Sequence, residues 1–224
     1  MNRLLSIFLL VSLAFMVTGC KLEHNSRVKQ TQLLGEIQTI EATTRVEVSG
    51  CTDYKDKTKE SDSLAKTNNI IKKIFPDSEF EGCKNENMKS MATYITTMMV
   101  GTLSPDVKGF EPEGVTIIRN QSGIVFFCLS KQIQKEITDG RKDAMTNDIS
   151  LHVNIRFTND TKEEIKIFPY AVFVDGSPFA GLPDWKNTVV IKPKNSVLIT
   201  LSDVASEYAI ANGVVPIFVE PVEQ

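Results

Sequence analysis

The chain has 224 residues and a formal net charge of −3 at pH 7, and 42% of its residues are hydrophobic. This composition can supply a buried core and excludes a chain that is disordered by composition. The mildly acidic balance argues against a nucleic-acid partner, because phosphate binding needs a clustered basic face and the sequence contains none. The densest charged run, residues 53–60, alternates in sign and is typical of a solvated loop.

The first predicted element is an export signal over residues 1–20. Arg3 precedes an apolar run, residues 4–17, that is shorter than the roughly 20 residues of a membrane span. Residues 17–20 resemble the lipobox of bacterial lipoproteins, in which an aliphatic and two small residues precede a cysteine. The resemblance implies that cleavage follows Gly19, that Cys20 carries a diacylglyceryl thioether, and that the new amino group is acylated. The alternative is an ordinary cleaved signal whose site happens to precede a cysteine.

The lipobox resemblance predicts an address in the cell envelope. Two or more acyl chains hold a protein stably on a bilayer, so residues 20–42 are interpreted as a lipidated cysteine and a polar tether. Lys21 stands where Gram-negative sorting looks for aspartate as an inner-membrane signal, which favours the outer membrane, facing the periplasm. In size and signal the chain is similar to uncharacterised lipoproteins of Enterobacteria and their prophages.

Three cysteines remain once Cys20 is assigned to lipid. Cys51 and Cys83 have polar neighbours, and we favour a disulfide between them, which the oxidising periplasm permits. Cys128 lies in an apolar run and is predicted to be a buried thiol. The alternative is three free cysteines that pack as small hydrophobic residues. No C-x-x-C spacing supports a metal site.

Residues 43–102 are predicted to form a first α+β subdomain. Val46 and Val48 alternate with polar residues as in a half-buried strand. Serines at 61 and 63 are N-cap candidates for a helix that Pro76 ends. Residues 88–100 are interpreted as a further strand. The stretch 103–114 holds two prolines and two glycines, which indicates a boundary.

Residues 115–224 are predicted to form a second, sheet-rich subdomain. It begins with two strands, then a helix capped by Ser130 and ended by Gly140. The clearest alternation of the chain, residues 149–158, predicts a strand that returns over 165–174 as an antiparallel hairpin. A last helix runs from a cap at Ser202 or Asp203 to Gly213. The predicted fold class is α+β, with mainly antiparallel sheets, a few short helices and two small subdomains.

The run Val153-x-Ile155-x-Phe157-x-Asn159-x-Thr161 resembles the hairpin of small immunoglobulin-like sandwiches on bacterial surface proteins. The resemblance covers about fifty residues. It implies a sandwich in this half, although the helices near 131–139 and 203–211 depart from a pure one.

The sequence after the predicted signal contains no recognisable catalytic motif. His24 falls in the predicted tether, and His152 lies on the polar face of a strand. His152 with Asp148 or Asp160 and a serine could be drawn as a triad, but a solvent-facing histidine is favoured. The apolar neighbours of Cys128 would raise its pKa and suppress the reactive thiolate. The sequence therefore predicts no enzyme, no cofactor and no metal.

One irregular loop, residues 175–187, is the most suggestive surface feature. It holds Phe179, Leu182 and Trp185, and exposed aromatic side chains can anchor a partner. The favoured alternative is that Phe179 and Trp185 fold back over one end of the sheet. The expected function is that of a membrane-anchored, non-enzymatic protein that binds another envelope protein. The alternative is an envelope hydrolase that uses paired carboxylates.

Overall fold

The computed structural model describes residues 21–104, 110–143, 149–179 and 187–221. These residues form thirteen strands and four helices. The strands are β1 (Lys21–Lys29), β2 (Gln38–Val48), β3 (Glu79–Glu86), β4 (Lys89–Thr102), β5 (Val115–Arg119), β6 (Ile124–Leu129), β7 (Ser150–Thr158), β8 (Ile165–Pro169), β9 (Val172–Val174), β10 (Ser177–Phe179), β11 (Val189–Ile191), β12 (Ser196–Leu201) and β13 (Val214–Val219). The helices are α1 (Gln30–Leu34), α2 (Asp62–Ile74), α3 (Lys131–Asp143) and α4 (Asp203–Asn212).

One mixed sheet contains all thirteen strands. Their order is β10-β9-β12-β7-β1-β2-β4-β5-β6-β13-β8-β11, and β3 pairs with β4 beside this path. The pairs β1–β7 and β4–β5 are parallel, and the other pairs are antiparallel. The expectation of a strand-rich protein with short helices is confirmed, whereas the sheet is mixed instead of purely antiparallel. Parallel pairs arise here because long segments of chain separate the paired strands.

The sheet curls so that its two ends face each other. The rings of Phe157 on β7 and Phe218 on β13 lie 5.2 Å apart between centroids, although five strands separate β7 from β13 along the sheet. The inner face carries the main hydrophobic core, and residues such as Val153, Ile199 and Ile217 are fully buried in it. Alternation of side chains along strands such as β7 and β12 places every second residue in this core.

The predicted tether is wrong for the residues that the structure describes. Residues 21–29 form β1, a central strand that pairs with β2 on one side and β7 on the other. The sequence conceals this strand because two of its inward residues, His24 and Ser26, are polar, although both are buried. Helix α1 follows β1 directly, and strand β2 begins at Gln38.

The predicted division into two subdomains is not seen either. Strands from residues 21–102 and 115–221 are interleaved, because β7 pairs with β1 and β5 pairs with β4.

Gly101 on β4 allows a close approach between two backbone segments. The backbone of Ile37, just before β2, passes next to it. A Cβ added at Gly101 would lie 2.6 Å from the Ile37 Cα, so only glycine fits there.

The predicted antiparallel hairpin between residues 149–158 and 165–174 does not form. Strand β7 exists and alternates as expected, but its partners are β1 and β12, while β8 pairs with β11 and β13. Asn159, fully buried after β7, donates hydrogen bonds to the carbonyl oxygens of Glu163 (2.7 Å) and Ile191 (2.8 Å). These bonds fix the loop against the end of β11, so the chain continues to β8 near the other end of the sheet and does not turn back to pair with β7.

Serine caps set the start of the helices as predicted. The Ser61 hydroxyl accepts from the Leu64 amide at 3.0 Å and begins α2, and Ser202 does the same for α4. Helix α4 ends at Gly213, whose φ of +81° favours glycine. In contrast to the prediction, Gly140 does not end α3, which continues to Asp143.

Helices α2, α3 and α4 cover the inner face at one end of the sheet, where α3 contacts both of the others. Ile71 of α2 and Ile137 of α3 line a small internal space with Leu22 of β1 and Leu151 of β7. Among the described helices, none is long and apolar enough to cross a membrane.

Candidate binding groove

The outer face of the central strands forms an open groove of about 740 Å³. Its walls and floor come from β1, β2, β3, β4, β7 and β12. The side chains are mainly polar or charged; among those that line it are Asn25, Arg27, Glu41, Thr43, Glu81, Asn154 and Arg156. They face outward because they alternate with the buried residues of the same strands.

Two amides and a hydroxyl order the floor of the groove. Asn154 donates a hydrogen bond to the Asn25 side-chain oxygen across the parallel pair β1–β7, with an N–O distance of 3.0 Å. The Thr200 hydroxyl donates to the Asn154 oxygen at 2.9 Å. Each side chain is held by its neighbour, so the floor presents fixed polar atoms.

Two arginines stand side by side beyond this floor. Arg27 on β1 and Arg156 on β7 are direct neighbours in the parallel register, and both are exposed. Within the described residues, neither guanidinium has a carboxylate within 4.0 Å. Like charges on adjacent strands repel each other, so this pair is better suited to bind an anion than to stabilise the fold.

Acidic side chains stand on the opposite side of the groove. Glu41 belongs to β2 and Glu81 to β3, and both are exposed. The groove therefore has a basic side on β1 and β7 and an acidic side on β2 and β3. Such a division would orient a ligand that carries charges of both signs.

An ion-pair cluster lies nearer the start of β1, outside the lining of the groove. Glu23 pairs with Lys21 (2.6 Å) and with Arg45 (3.3 Å), and Arg45 also bonds Glu86 of β3. Partial burial alone would raise the pKa of Glu23, but the two cations outweigh burial and lower its pKa. These cations are neutralised, in contrast to Arg27 and Arg156.

The opposite face of the same strands holds a buried polar row. His24 Nδ1 lies 3.2 Å from the Thr44 hydroxyl, which lies 3.0 Å from that of Thr96. Burial lowers the pKa of His24 to about 4, so the ring is neutral at pH 7. Its Nε2 has no partner among the described residues, and the ring stacks on Phe75. His24 is thus a core residue, not part of a tether.

The predicted cysteine pair is joined in the structure. Cys51 and Cys83 form a disulfide with an S–S distance of 2.02 Å and a Cα–Cα distance of 5.5 Å. The bond fastens the loop before α2 to β3, the strand that supplies Glu81 to the groove. Cys128 is a free, buried thiol, and burial raises its pKa to about 12.

Of the other predicted site residues, the structure describes only Phe179. Cys20, Leu182 and Trp185 lie outside the described residues. Phe179 is half-buried at the end of β10 and packs against the hydrophobic core. The aromatic loop therefore contributes no described exposed ring.

Asp160 does not complete the catalytic triad considered for His152. Asp160 accepts hydrogen bonds from the amide (3.0 Å) and hydroxyl (2.5 Å) of Thr31, at the far end of β1. His152 Nε2 instead lies 3.1 Å from the hydroxyl of Ser150, two residues away on the same strand. Asp148 lies outside the described residues. Among those residues, no three His, Cys, Asp or Glu side chains are grouped as metal ligands would be.

Sequence reasoning missed the groove. One signal was available, since residues 23, 25 and 27 alternate with buried residues, as 152, 154 and 156 do. The two rows become neighbours only because β1 pairs with β7 in parallel. No local sequence pattern specifies that pairing.

Comparison with known proteins defines the family. The chain belongs to the family of a domain of unknown function, DUF7424, which matches residues 23–224. The match spans the described sheet and all four helices. No curated protein and no solved structure matches the chain.

Proposed function

We propose that this protein is a lipid-anchored lipoprotein of the bacterial outer membrane, facing the periplasm, that binds another envelope protein without catalysing a reaction. Cys20 is the lipidated residue in this proposal. The groove on the outer face of the sheet is the binding site, and a segment of the partner that carries charges of both signs is its ligand. The single observation that carries the binding role is the pair of exposed, unneutralised arginines in that groove.

The anchor is supported by the sequence before the fold. Residues 4–17 are apolar apart from Ser6 and Ser12, and residues 17–20 resemble a lipobox. The first strand begins at Lys21, immediately after the proposed lipid site. The described body would therefore lie close to the membrane surface and could meet only partners that reach it.

The ligand chemistry follows from the two arginines. A guanidinium binds a carboxylate through two parallel hydrogen bonds, and such pairs are among the strongest charge-assisted contacts. Arg27 and Arg156 could bind two carboxylates, while Asn25 and Asn154 offer amide groups at the floor. A segment whose acidic residues face the arginines and whose basic residue faces Glu41 and Glu81 fits this arrangement.

The anchor is tested by the intact mass of protein purified from membranes. The proposal predicts a chain that begins at Cys20 and carries the mass of a diacylglyceryl group and an amide-linked acyl chain. An unmodified cysteine at position 20, or a wild-type product that is soluble after fractionation, would contradict it.

The binding role is tested by cross-linking in whole envelopes. The double variant Arg27→Ala/Arg156→Ala should lose the cross-linked partner that the wild-type protein captures. A matched control, Lys59→Ala/Lys131→Ala, also removes two exposed cations but away from the groove, and should keep the partner. Equal capture by both double variants would remove the groove from the proposal.

The hydrolase alternative keeps one observation in its favour, because Glu41 and Glu81 line the same groove. A carboxylate pair could cleave a glycan if one group were protonated at neutral pH, which usually requires shelter from water. Both side chains are exposed. Glycan cleavage by the wild-type protein that Glu41→Gln or Glu81→Gln abolishes would replace the binding role with this one.

A further inference from the structure

A second, apolar cleft lies on the other face of β1, between α2 and α3. It has a volume of about 150 Å³, and isoleucines dominate its lining: Ile70, Ile71 and Ile74 from α2, Ile137 from α3, and Ile149 before β7. Ile70 is 41% exposed at the mouth. Large apolar side chains that face an open cleft usually mark a surface that binds apolar material.

A glycine shapes the wall of this cleft. Gly140 lies in the interior of α3 and lines the cleft, and a Cβ there would lie 3.0 Å from the Ile149 Cδ1. Glycine is among the poorest helix formers. At this position it lets Ile149 pack directly against α3, and a larger residue would push Ile149 from its place in the wall.

The cleft opens at the first residues of the fold. Lys21 and Leu22 form part of its lining. Consecutive Cα atoms are about 3.8 Å apart, so any group carried by Cys20 starts within one residue of the cleft. With β1 beginning at Lys21, no spacer separates that group from the two helices.

We propose that this cleft holds part of one of the ester-linked acyl chains of the lipid on Cys20. The inference rests on the proposed lipidation and adds a contact between the lipid and the protein body. The acyl chain covers Ile70 and Ile74, and the remaining chains enter the bilayer. The α2–α3 end of the molecule is thereby held at the membrane.

This placement also orients the groove. Arg27 lies six residues along β1 from Lys21, or roughly 20 Å at the rise of a β-strand. The groove is on the opposite face of the strand from the cleft. A protein held at the cleft end therefore presents its arginines away from the bilayer surface.

The test uses thiol labelling of the full chain, purified from membranes in detergent. Ile70→Cys places a thiol at the mouth of the cleft, and Asn69→Cys places one on the neighbouring exposed position as the matched control. The native cysteines give little background, because Cys51 and Cys83 are bonded to each other and Cys128 is buried. Labelling by a water-soluble maleimide is followed before and after a lipase removes the ester-linked chains.

The expected result is a several-fold faster reaction at Ile70→Cys after lipase treatment, with no change at Asn69→Cys. A detergent micelle that shielded this end would slow both positions alike. Equal rates at Ile70→Cys before and after treatment, in protein whose mass shows the acyl groups, would overturn the cleft assignment alone. Protein without acyl mass at position 20 would overturn the lipidation itself.

A second measurement compares the wild-type protein with one variant that fills the cleft. Lipase treatment should lower the unfolding temperature of the wild-type protein, because the cleft loses its occupant, and should leave that of Thr67→Phe, where the ring fills the cleft, unchanged. An equal response of the two proteins would also overturn the cleft assignment.

Discussion

The two faces of β1 place polar residues in different environments. On the inner face His24 and Ser26 are buried, and the His24 Nε2 and Ser26 Oγ have no partner among the described residues. On the outer face Asn25 is hydrogen-bonded to Asn154, while Arg27 is exposed beside Arg156. Residues that are adjacent in sequence thus have opposite environments.

The residues of the inner face therefore affect the stability of the protein, whereas those of the outer face are available to bind a ligand. A buried polar atom without a partner costs folding free energy, so the inner face limits the stability of the molecule. The outer face costs little, because water solvates its charges, and it can present them to a ligand. Substitutions on the two faces should therefore affect different properties.

The largest effect is expected from two neighbouring positions on β7. Phe157 is fully buried against Phe218, so Phe157→Ala should lower the free energy of unfolding by about 3–5 kcal/mol. Arg156→Ala, on the outer face, should change it by no more than about 0.5 kcal/mol. Urea unfolding measures both. Similar losses at the two positions would remove the distinction between the faces.

The disulfide supports the wall of the groove. Cys51→Ser/Cys83→Ser should lower the free energy of unfolding by about 3–4 kcal/mol, because the bond closes a loop with a sequence separation of 32. Reduction of the wild-type protein should give the same loss and should leave the double variant unaffected. A double variant as stable as the oxidised wild type would contradict this prediction.

The inner face should make stability depend on pH through His24. Burial lowers the pKa of folded His24 to about 4, whereas an unfolded histidine has a pKa near 6.5. Between these values the unfolded chain binds a proton that the folded protein does not, so stability is lost as pH falls from 7 to 4. The loss is about 3 kcal/mol.

The variant His24→Leu should lack this part of the pH dependence in urea unfolding at pH 7 and pH 4. Ser26→Ala, on the same face, should keep it because it removes no titratable group. If His24→Leu and the wild type lost the same stability, the buried histidine would not be the cause.

The smallest effect concerns the arginine pair. Arg156→Gln removes a like-charged neighbour of Arg27, so stability should stay constant or rise by up to about 0.5 kcal/mol at low salt. The difference should shrink at high salt, which screens exposed charges. A marked loss of stability would show that Arg156 is a structural residue.

Local patterns predicted those parts of the fold that depend on local physics. The alternation that gave β7 reflects burial on one face, and the caps at Ser61 and Ser202 satisfy amides within a few residues. Strand β1 was missed because His24 and Ser26 interrupt its apolar pattern. The path after β7 was mistaken because Asn159 bonds to Ile191, a contact between residues far apart in the chain.

The candidate sites depend on pairing and on shape. Cys51 and Cys83 could be paired from their polar surroundings and from compartment. The groove could not be predicted from local sequence, because Arg27 and Arg156 lie far apart in the chain. They become neighbours only through the parallel pairing of β1 with β7. Gly140 was interpreted as a helix end because nothing local shows that Ile149 packs against it.

The central claim is that the outer face of β1 and its neighbours is the binding surface of an anchored protein. A photoreactive residue at Thr43, in the groove, tests it most directly in living cells, with Ala211 on α4 as the exposed control position. The account predicts a cross-linked envelope partner from Thr43 and none from Ala211. A partner captured from Ala211 alone, or from neither position, would contradict it.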